Sequence, residues 1–164
     1  MSERNACLVV ADESAEFPAA LIYAGQFAKA AGWRLIMLRV IEPQDPAPWA
    51  SISEEMRRQA HEAAESLTQR FAAEVWAECG VTAETALREG DVKQEVRKLL
   101  DEDLSIKLVV LAAAGGAGGP GPLVSSLAKS ATLASRHIAV MVIPGALGRD
   151  EILSLALPAA PPTA

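Results

Sequence analysis

Residues 107–135 read KLVVLAAAGGAGGPGPLVSSLAKSATLAS and combine three features in one stretch of chain. The apolar run at 108–113 has the length and the Val/Leu content of a buried parallel strand. Small residues and two prolines follow at 115–122, and a helical pattern begins near Ser125 and Ser126. A strand, a glycine loop and a helix N-terminus can together form an anion site, because unpaired backbone N–H groups and the helix dipole converge there. We expect any ligand of this protein to bind at this loop.

Four further segments have the pattern of β-strands. Three are continuous apolar runs, typical of strands covered on both faces, and they span residues 6–11, 35–41 and 138–143. The fourth segment, 81–87, alternates polar and apolar residues and predicts a strand with one solvent-exposed face.

Helical patterns separate these strands. The first ends at Gly32, and the second is a long helix that starts with a capping box at Ser51 and Glu54 and ends at Gly80. Asp91 is predicted to cap the third helix, and a fourth is expected at about 126–135. The apolar stripe of the long helix is predicted to consist of Ile52, Met56, Ala60, Ala63, Leu67, Phe71 and Val75.

The alternation of strands and helices predicts an α/β fold. Parallel strands joined by right-handed crossovers place helices on both faces of the sheet. We assign residues 1–147 to one domain and residues 148–164 to a C-terminal tail, which we expect to be partly disordered.

Composition and charge restrict the class of protein. The 164 residues are enough for one domain with its own core, and the formal net charge of −6 argues against a nucleic-acid-binding surface. Cys7 and Cys79 suit a reducing compartment, with Cys7 expected to be a buried apolar side chain. No signal peptide or transmembrane segment is predicted. We therefore expect a cytoplasmic protein.

Other candidate motifs favour structural roles. Residues 116–121 spell G-x-G-x-x-G, but they follow the fourth strand, contain a proline and lack an acidic residue about 20 positions on. His61 and His137 are isolated from other ligating residues, which does not indicate a metal site. No base stands beside Ser14, so we expect it to cap the first helix rather than act as a nucleophile.

Several local motifs resemble the universal stress protein family. The first strand closes in VAD at residues 10–12, the second in RVIEP at 39–43, and EGD stands at 89–91 before the third helix. The stretch 107–135 aligns without gaps to the phosphate loop of that family and the helix after it. The resemblance covers about residues 6–145. It implies a doubly wound five-stranded parallel sheet of order 3-2-1-4-5, of the adenine nucleotide alpha hydrolase-like type.

The resemblance also implies a homodimer joined through the fifth strand. In the implied order the third and fifth strands are edges, and the alternating pattern of 81–87 suits an exposed edge. The strand at 138–143 is apolar on both faces, which an unprotected edge does not tolerate without aggregation. A two-fold partner is the simplest cover. We therefore expect a homodimer through this strand.

The resemblance implies a nucleotide site at the carboxyl ends of the first and fourth strands. ATP-binding relatives have a Gly-x2-Gly-x9-Gly-Ser/Thr loop, and the aligned positions here are Ala112, Gly115, Ser125 and Ser126. Gly115 and the two serines are expected to hold phosphates, while Ala11, Asp12 and Val40 belong to the base and ribose side. The implied cofactors are ATP and Mg²⁺.

Three functions remain open at this point. The favoured hypothesis is a stress-linked binding or signalling module in which a nucleotide is a switch or a stabilising ligand. A slow ATP hydrolase would need a base and charge neutralisation, for which Asp12, Glu13 and Lys129 are the candidates. The third hypothesis is a ligand-free member that acts only through protein–protein contacts.

Overall fold

The computed structural model describes residues 4–43 and 50–155, with side chains from residue 54 onward in the second range. Within them, the strands are β1 (Ala6–Ala11), β2 (Arg34–Ile41), β3 (Ala83–Glu89), β4 (Ile106–Ala113) and β5 (Ala139–Pro144). The helices are α1 (Phe17–Ala31), α2 (Ala50–Cys79), α3 (Val92–Glu102), α4 (Pro122–Ser130) and α5 (Arg149–Leu155). No described helix is both long and apolar enough to cross a membrane.

The strands form one parallel sheet in the order β3-β2-β1-β4-β5, which confirms the predicted topology. β1 lies at the centre, and Ala11 pairs in register with Arg39, so that β1 and β2 end at the same edge of the sheet. β3 and β5 are the outer strands, as predicted. No residue of β3 is fully buried, in keeping with an edge position.

Each face of the sheet has its own core. On one face α1, α2 and α5 cover side chains such as Val9 and Met37. On the other face α3 and α4 cover side chains such as Leu8 and Leu38. Neighbouring residues of one strand therefore point into opposite layers, as the continuous apolar runs predict.

Local signals place α1. Pro18 lies in its first turn, where a missing N–H costs nothing, and Gly32 ends it in the left-handed conformation at φ 68°. Its middle is buried because α2 packs on one side and α5 on another. Gly25 allows α2 to come close, since a Cβ there would lie 2.6 Å from Val75 Cγ2.

The buried stripe of α2 differs from the prediction in its first half. Met56 is 39% exposed and Ala63 is also exposed, while Ala64 takes the inward position. The later positions are buried as predicted, namely Leu67, Phe71 and Val75. Ala63 and Ala64 are equally apolar neighbours, so the sequence pattern cannot show which of the two faces the core.

The start of α2 also differs from the prediction. The helix includes Ala50, so Ser51 lies inside it and is not its N-cap. The side chain of Ile52, which was predicted to begin the stripe, lies outside the described residues. The cap of α3 is confirmed, because Asp91 Oδ1 accepts the backbone N–H of Gln94 at 3.0 Å.

Helix α4 begins and ends earlier in the chain than the sequence predicts. It spans Pro122–Ser130 instead of about 126–135. Gly121 precedes it at φ 104°, and Pro122 occupies the first turn, where proline is favoured because no N–H is needed. Ala131 ends the helix with a positive φ of 58°. The two prolines were assigned to the loop, which moved the predicted start into the second turn.

The segment after β5 joins the domain through α5. Ile152 is 3% exposed and belongs to the core beneath α1, and Arg149 forms an ion pair with Glu78 of α2. Residues 148–155 therefore pack on the domain, although the sequence assigned them to a tail. The proline-rich end of that tail lies outside the described residues.

Both cysteines are free and buried. Burial raises the pKa of the Cys7 thiol to about 12, and it also raises that of Cys79. Cys7 is thus the buried apolar side chain that was predicted, and the position of Cys79 at the end of α2 does not expose it.

Candidate functional site

A cavity of about 730 Å³ opens at the carboxyl ends of β1, β2 and β4. It lies at the point where the chain order in the sheet reverses, with β2 on one side of β1 and β4 on the other. Ligands of open α/β sheets bind at this switch point. Its main lining segments are residues 10–14, 39–42 and 118–124, together with parts of α2.

The predicted site residues divide into two groups. Five of them line the cavity, namely Ala11, Asp12, Val40, Ala112 and Gly115. Ser125 and Ser126 are not among the lining residues, because α4 begins at Pro122 and places them in its second turn. The backbone N–H of Ser125 donates to the Gly121 carbonyl at 3.0 Å and so belongs to the helix itself.

The first turn of α4 lines the cavity, whereas the two serines do not. Leu123 and Val124 line the cavity, and their backbone N–H groups have no acceptor among the described residues. N–H groups at the start of a helix lack intrahelical partners and favour anions. This turn can therefore hold a phosphate through its backbone.

The glycine loop provides the opposite wall. Gly116, Gly119 and Gly121 adopt positive φ angles of 98°, 76° and 104°, which other residues rarely take. Gly115 is different, because its φ is ordinary and a Cβ there would meet nothing within 4 Å. A side chain at Gly115 is therefore compatible with the fold and would occupy open space at the cavity.

Asp12 stands at the cavity mouth and shapes the turn after β1. Its Oδ1 accepts the backbone N–H of Ser14 at 2.9 Å, while Oδ2 has no partner among the described residues. Glu16, and not Ser14, occupies the N-cap position of α1, so the predicted cap at Ser14 is wrong. One oxygen of Asp12 thus fixes the loop and the other faces outward.

The apolar part of the cavity lies beneath the α3 and α4 side. Val40, Leu111 and Leu123 are buried there, and Val92 of α3 adds to the wall. This combination of an apolar wall and a few polar groups is typical of small-molecule sites.

Small side chains on α2 keep the other side open. Ala60, Ala63 and Ala64 line the cavity over the ends of β1 and β2. The apolar pattern of α2 predicts Ala60 and Ala63 as part of its buried stripe and does not indicate a site there. A run of alanines facing a strand terminus was the signal that could have indicated an open space.

Arg39 was also missed, and it is the only basic side chain among the described residues that line the cavity. Its Nη1 donates to the Ala11 carbonyl at 3.3 Å, and its Nε is buried without a hydrogen-bond partner in the described part of the chain. The signal was available, because a charged residue near the carboxyl end of an apolar parallel strand lies at the ligand-binding edge.

The other residues considered as candidate ligands do not come together in a second site among the described residues. His61 lies 3.3 Å from Glu89 Oε2 on the surface beside Arg57, and His137 is exposed. Lys129 is in the last turn of α4 and is not a lining residue. Among the described residues, no group of three or more His, Cys, Asp or Glu side chains is placed to hold a metal ion.

The sequence model of the universal stress protein family matches residues 3–144, which include all five strands. The chain belongs to the universal stress protein family. The match confirms the resemblance that the motifs at 10–12, 39–43 and 89–91 indicate. No curated protein matches the chain significantly.

Solved universal stress proteins share this fold. The protein UspA from Lactobacillus plantarum superposes with a TM-score of 0.71 at 20% identity, covering 87% of this chain and 99% of that one. A protein from Archaeoglobus fulgidus in complex with dAMP has a TM-score of 0.60 at 14% identity, with coverages of 87% and 99%. A protein from Arabidopsis thaliana with AMP bound has a TM-score of 0.57 at 19% identity, with coverages of 90% and 94%. At these identities the likeness establishes the fold.

Proposed function

We propose that this universal stress protein binds an adenine nucleotide in the cavity and acts as a binding or signalling module in a stress response. The observation that carries the proposal is the position of the cavity, between the glycine loop after β4 and the end of β1. The buried thiols of Cys7 and Cys79 suit a reducing, cytoplasmic location.

The residues present fit such a ligand. The wall made by Val40, Leu111 and Leu123 suits an aromatic base, and the backbone of α4's first turn suits a phosphate. Relatives with the same fold have been solved with AMP and with dAMP. ATP would enter with Mg²⁺, which is usually held by one or two carboxylates together with nucleotide phosphates. Asp12 and Glu13 are the candidate carboxylates at the mouth.

Nucleotide turnover is the weaker alternative. In-line attack on a phosphate needs a positioned base and cations that neutralise the developing charge. Asp12 and Glu13 are available as bases, but Lys129 lies outside the cavity lining and the guanidinium of Arg39 donates to the Ala11 carbonyl. We therefore propose binding without a dedicated chemical step. Release of phosphate from ATP at a rate above that of a Gly115→Val variant would contradict this.

The binding proposal is tested by titration calorimetry with AMP and with ATP–Mg²⁺, after removal of any nucleotide carried through purification. Gly115→Val should abolish binding without loss of stability, because the new side chain enters open space at the cavity. Ala117→Val is the matched control, since Ala117 is an exposed residue of the same loop outside the lining. If the wild-type protein gives no heat and carries no nucleotide, the proposal fails and the ligand-free hypothesis takes its place.

We also propose that two copies pair through β5, the strand predicted from residues 138–143. β5 pairs with β4 on one side only, it carries no charged residue, and Met141 is 38% exposed. An apolar edge of this kind favours pairing with another strand. Light scattering should give the mass of a dimer for the wild-type protein and the mass of a monomer for Met141→Lys. Val140→Lys should also give a monomer, and it should destabilise the fold as well, because Val140 packs against the core.

Leu104→Lys is the control for the dimer experiment, since Leu104 is 61% exposed in the turn before β4 and not on the edge strand. A dimer that survives both substitutions in β5, while the protein stays folded by circular dichroism, would place the interface elsewhere.

A further inference from the structure

The charges around the cavity are strongly unbalanced. In the described part of the chain, four carboxylates line it, from Asp12, Glu13, Glu16 and Glu42, against the single guanidinium of Arg39. Asp12, Glu13 and Glu42 are exposed at the mouth. Fields from like charges at the mouth of a cleft disfavour the approach of a further anion.

The one basic side chain of the described lining comes from β2. The guanidinium of Arg39 is held at the end of β1, where it donates to the Ala11 carbonyl at 3.3 Å. The glycine loop and the first turn of α4 contribute no basic side chain to the described lining.

The backbone donors at the loop are neutral groups. Pro120 and Pro122 have no N–H, and the N–H groups of Gly119 and Ser125 are used by carbonyls at 3.3 Å and 3.0 Å. The N–H groups of Gly115, Gly118 and Gly121 and those of the first α4 turn have no acceptor among the described residues. They can hydrogen-bond phosphate oxygens, but as dipoles they supply no positive charge to balance the carboxylates.

We propose that this cavity selects adenine ligands with no more than one phosphate over di- and triphosphates when no divalent cation is present. The inference rests on the proposed function, because it concerns the ligand class of the same site. Each further phosphate brings negative charge toward the four carboxylates, and the described lining has only the guanidinium of Arg39 to offset it. A divalent cation bound to the phosphates removes the penalty.

The test is calorimetric titration with adenosine, AMP, ADP and ATP in low salt with a chelator. We expect ATP to bind at least tenfold more weakly than AMP, with ADP between them. Adding Mg²⁺, or raising the salt concentration so that exposed charges are screened, should narrow this gap.

Charge variants separate electrostatics from shape. Glu13→Gln combined with Glu42→Gln should raise the affinity for ATP severalfold relative to the affinity for adenosine, because the charged ligand senses the charge of these side chains most strongly. Glu65→Gln, on the exposed surface of α2 outside the lining, is the control and should change neither.

The outcomes distinguish this inference from the proposed function. If ATP binds as tightly as AMP in chelator, the charge selection is wrong while nucleotide binding stands. If the gap persists unchanged in the double variant, the carboxylates are not its cause and the inference is overturned. If no adenine compound binds under any condition, the proposed function itself fails.

Discussion

Replacing Gly25 by alanine tests the packing of α1 against α2. An added Cβ would lie 2.6 Å from Val75 Cγ2 and 2.8 Å from Cys79 Sγ, about an ångström closer than ordinary contact distances of roughly 3.5–4.0 Å. Overpacking of a close-packed interior costs about 1–3 kcal/mol. Replacing a helical glycine by alanine returns about 1 kcal/mol through helix propensity. The difference is a net loss of up to about 2 kcal/mol, and we expect Gly25→Ala to be destabilising because two of its contacts would be shorter than 3.0 Å.

A double-mutant cycle with Val75→Ala tests the cause. Val75→Ala removes the atom nearest to the new methyl group, and by itself it should cost about 2 kcal/mol, since Val75 is fully buried. In that background Gly25→Ala should cost less than it does in the wild-type protein, because only the close contact with Cys79 Sγ remains. Urea unfolding of the four proteins gives the coupling energy. Losses that add within about 0.5 kcal/mol would refute the close approach of the two helices at Gly25.

Three further predictions concern single side chains. Arg136 donates three hydrogen bonds, of 2.9–3.1 Å, to backbone carbonyls at the end of α3 and the start of β4. Arg136→Lys should lower the free energy of unfolding in urea by about 1–2 kcal/mol, because the ammonium group of lysine cannot reach all three carbonyls. Equal stability of the two proteins would contradict this. Burial raises the pKa of Cys7 to about 12 and also raises the pKa of Cys79, so neither thiol should react with a thiol reagent in the native state. The free energy of unfolding should fall as the pH rises above the ordinary thiol pKa of 9.0, because only the thiols of the unfolded chain ionise there. Rapid labelling of the native protein would contradict this. The hydrogen bond from Arg34 lowers the pKa of Glu84, so the Arg34–Glu84 pair stabilises the protein above the ordinary pKa of 4.5, and this stabilisation is lost as the pH falls below that value. Glu84→Gln should therefore make the free energy of unfolding fall less steeply with decreasing pH. An unchanged acid limb would exclude the pair as a contributor.

The sheet was predictable because its strands carry the strongest signals in the sequence. β1 and β4 are continuous apolar runs bounded by polar or small residues, which is the pattern of strands covered on both faces. The order of the strands came from the family resemblance and agrees with the structure. Edge positions of β3 and β5 followed from that order.

The N-terminus of α4 was not predictable by the same means. Gly121 and Pro122 look like loop residues in a pattern search, yet together they form the start of the helix. The alignment to the family's glycine motif selected Ser125 and Ser126 as candidate phosphate ligands, whereas the cavity lining contains Leu123 and Val124. The backbone N–H groups of Leu123 and Val124 carry no sequence signal, because any residue except proline has one.

The residues of the site that were missed share a physical reason. Arg39 and the alanines of α2 line the cavity only because β2 and α2 meet β1 in three dimensions. Sequence patterns place a residue on a strand or a helix, but neither the rotation of α2 nor the closeness of Arg39 to the Ala11 carbonyl follows from local periodicity.

The central claim is that an adenine nucleotide binds at the carboxyl ends of β1 and β4. The most direct measurement is a titration of the isotopically labelled protein with AMP, followed by the backbone amide signals in NMR spectra. The account predicts saturable shifts concentrated at residues 11–12, at Gly115 and in the first turn of α4 at Leu123 and Val124. Saturable shifts on another surface, with these signals unmoved, or no shifts at any concentration, would contradict it.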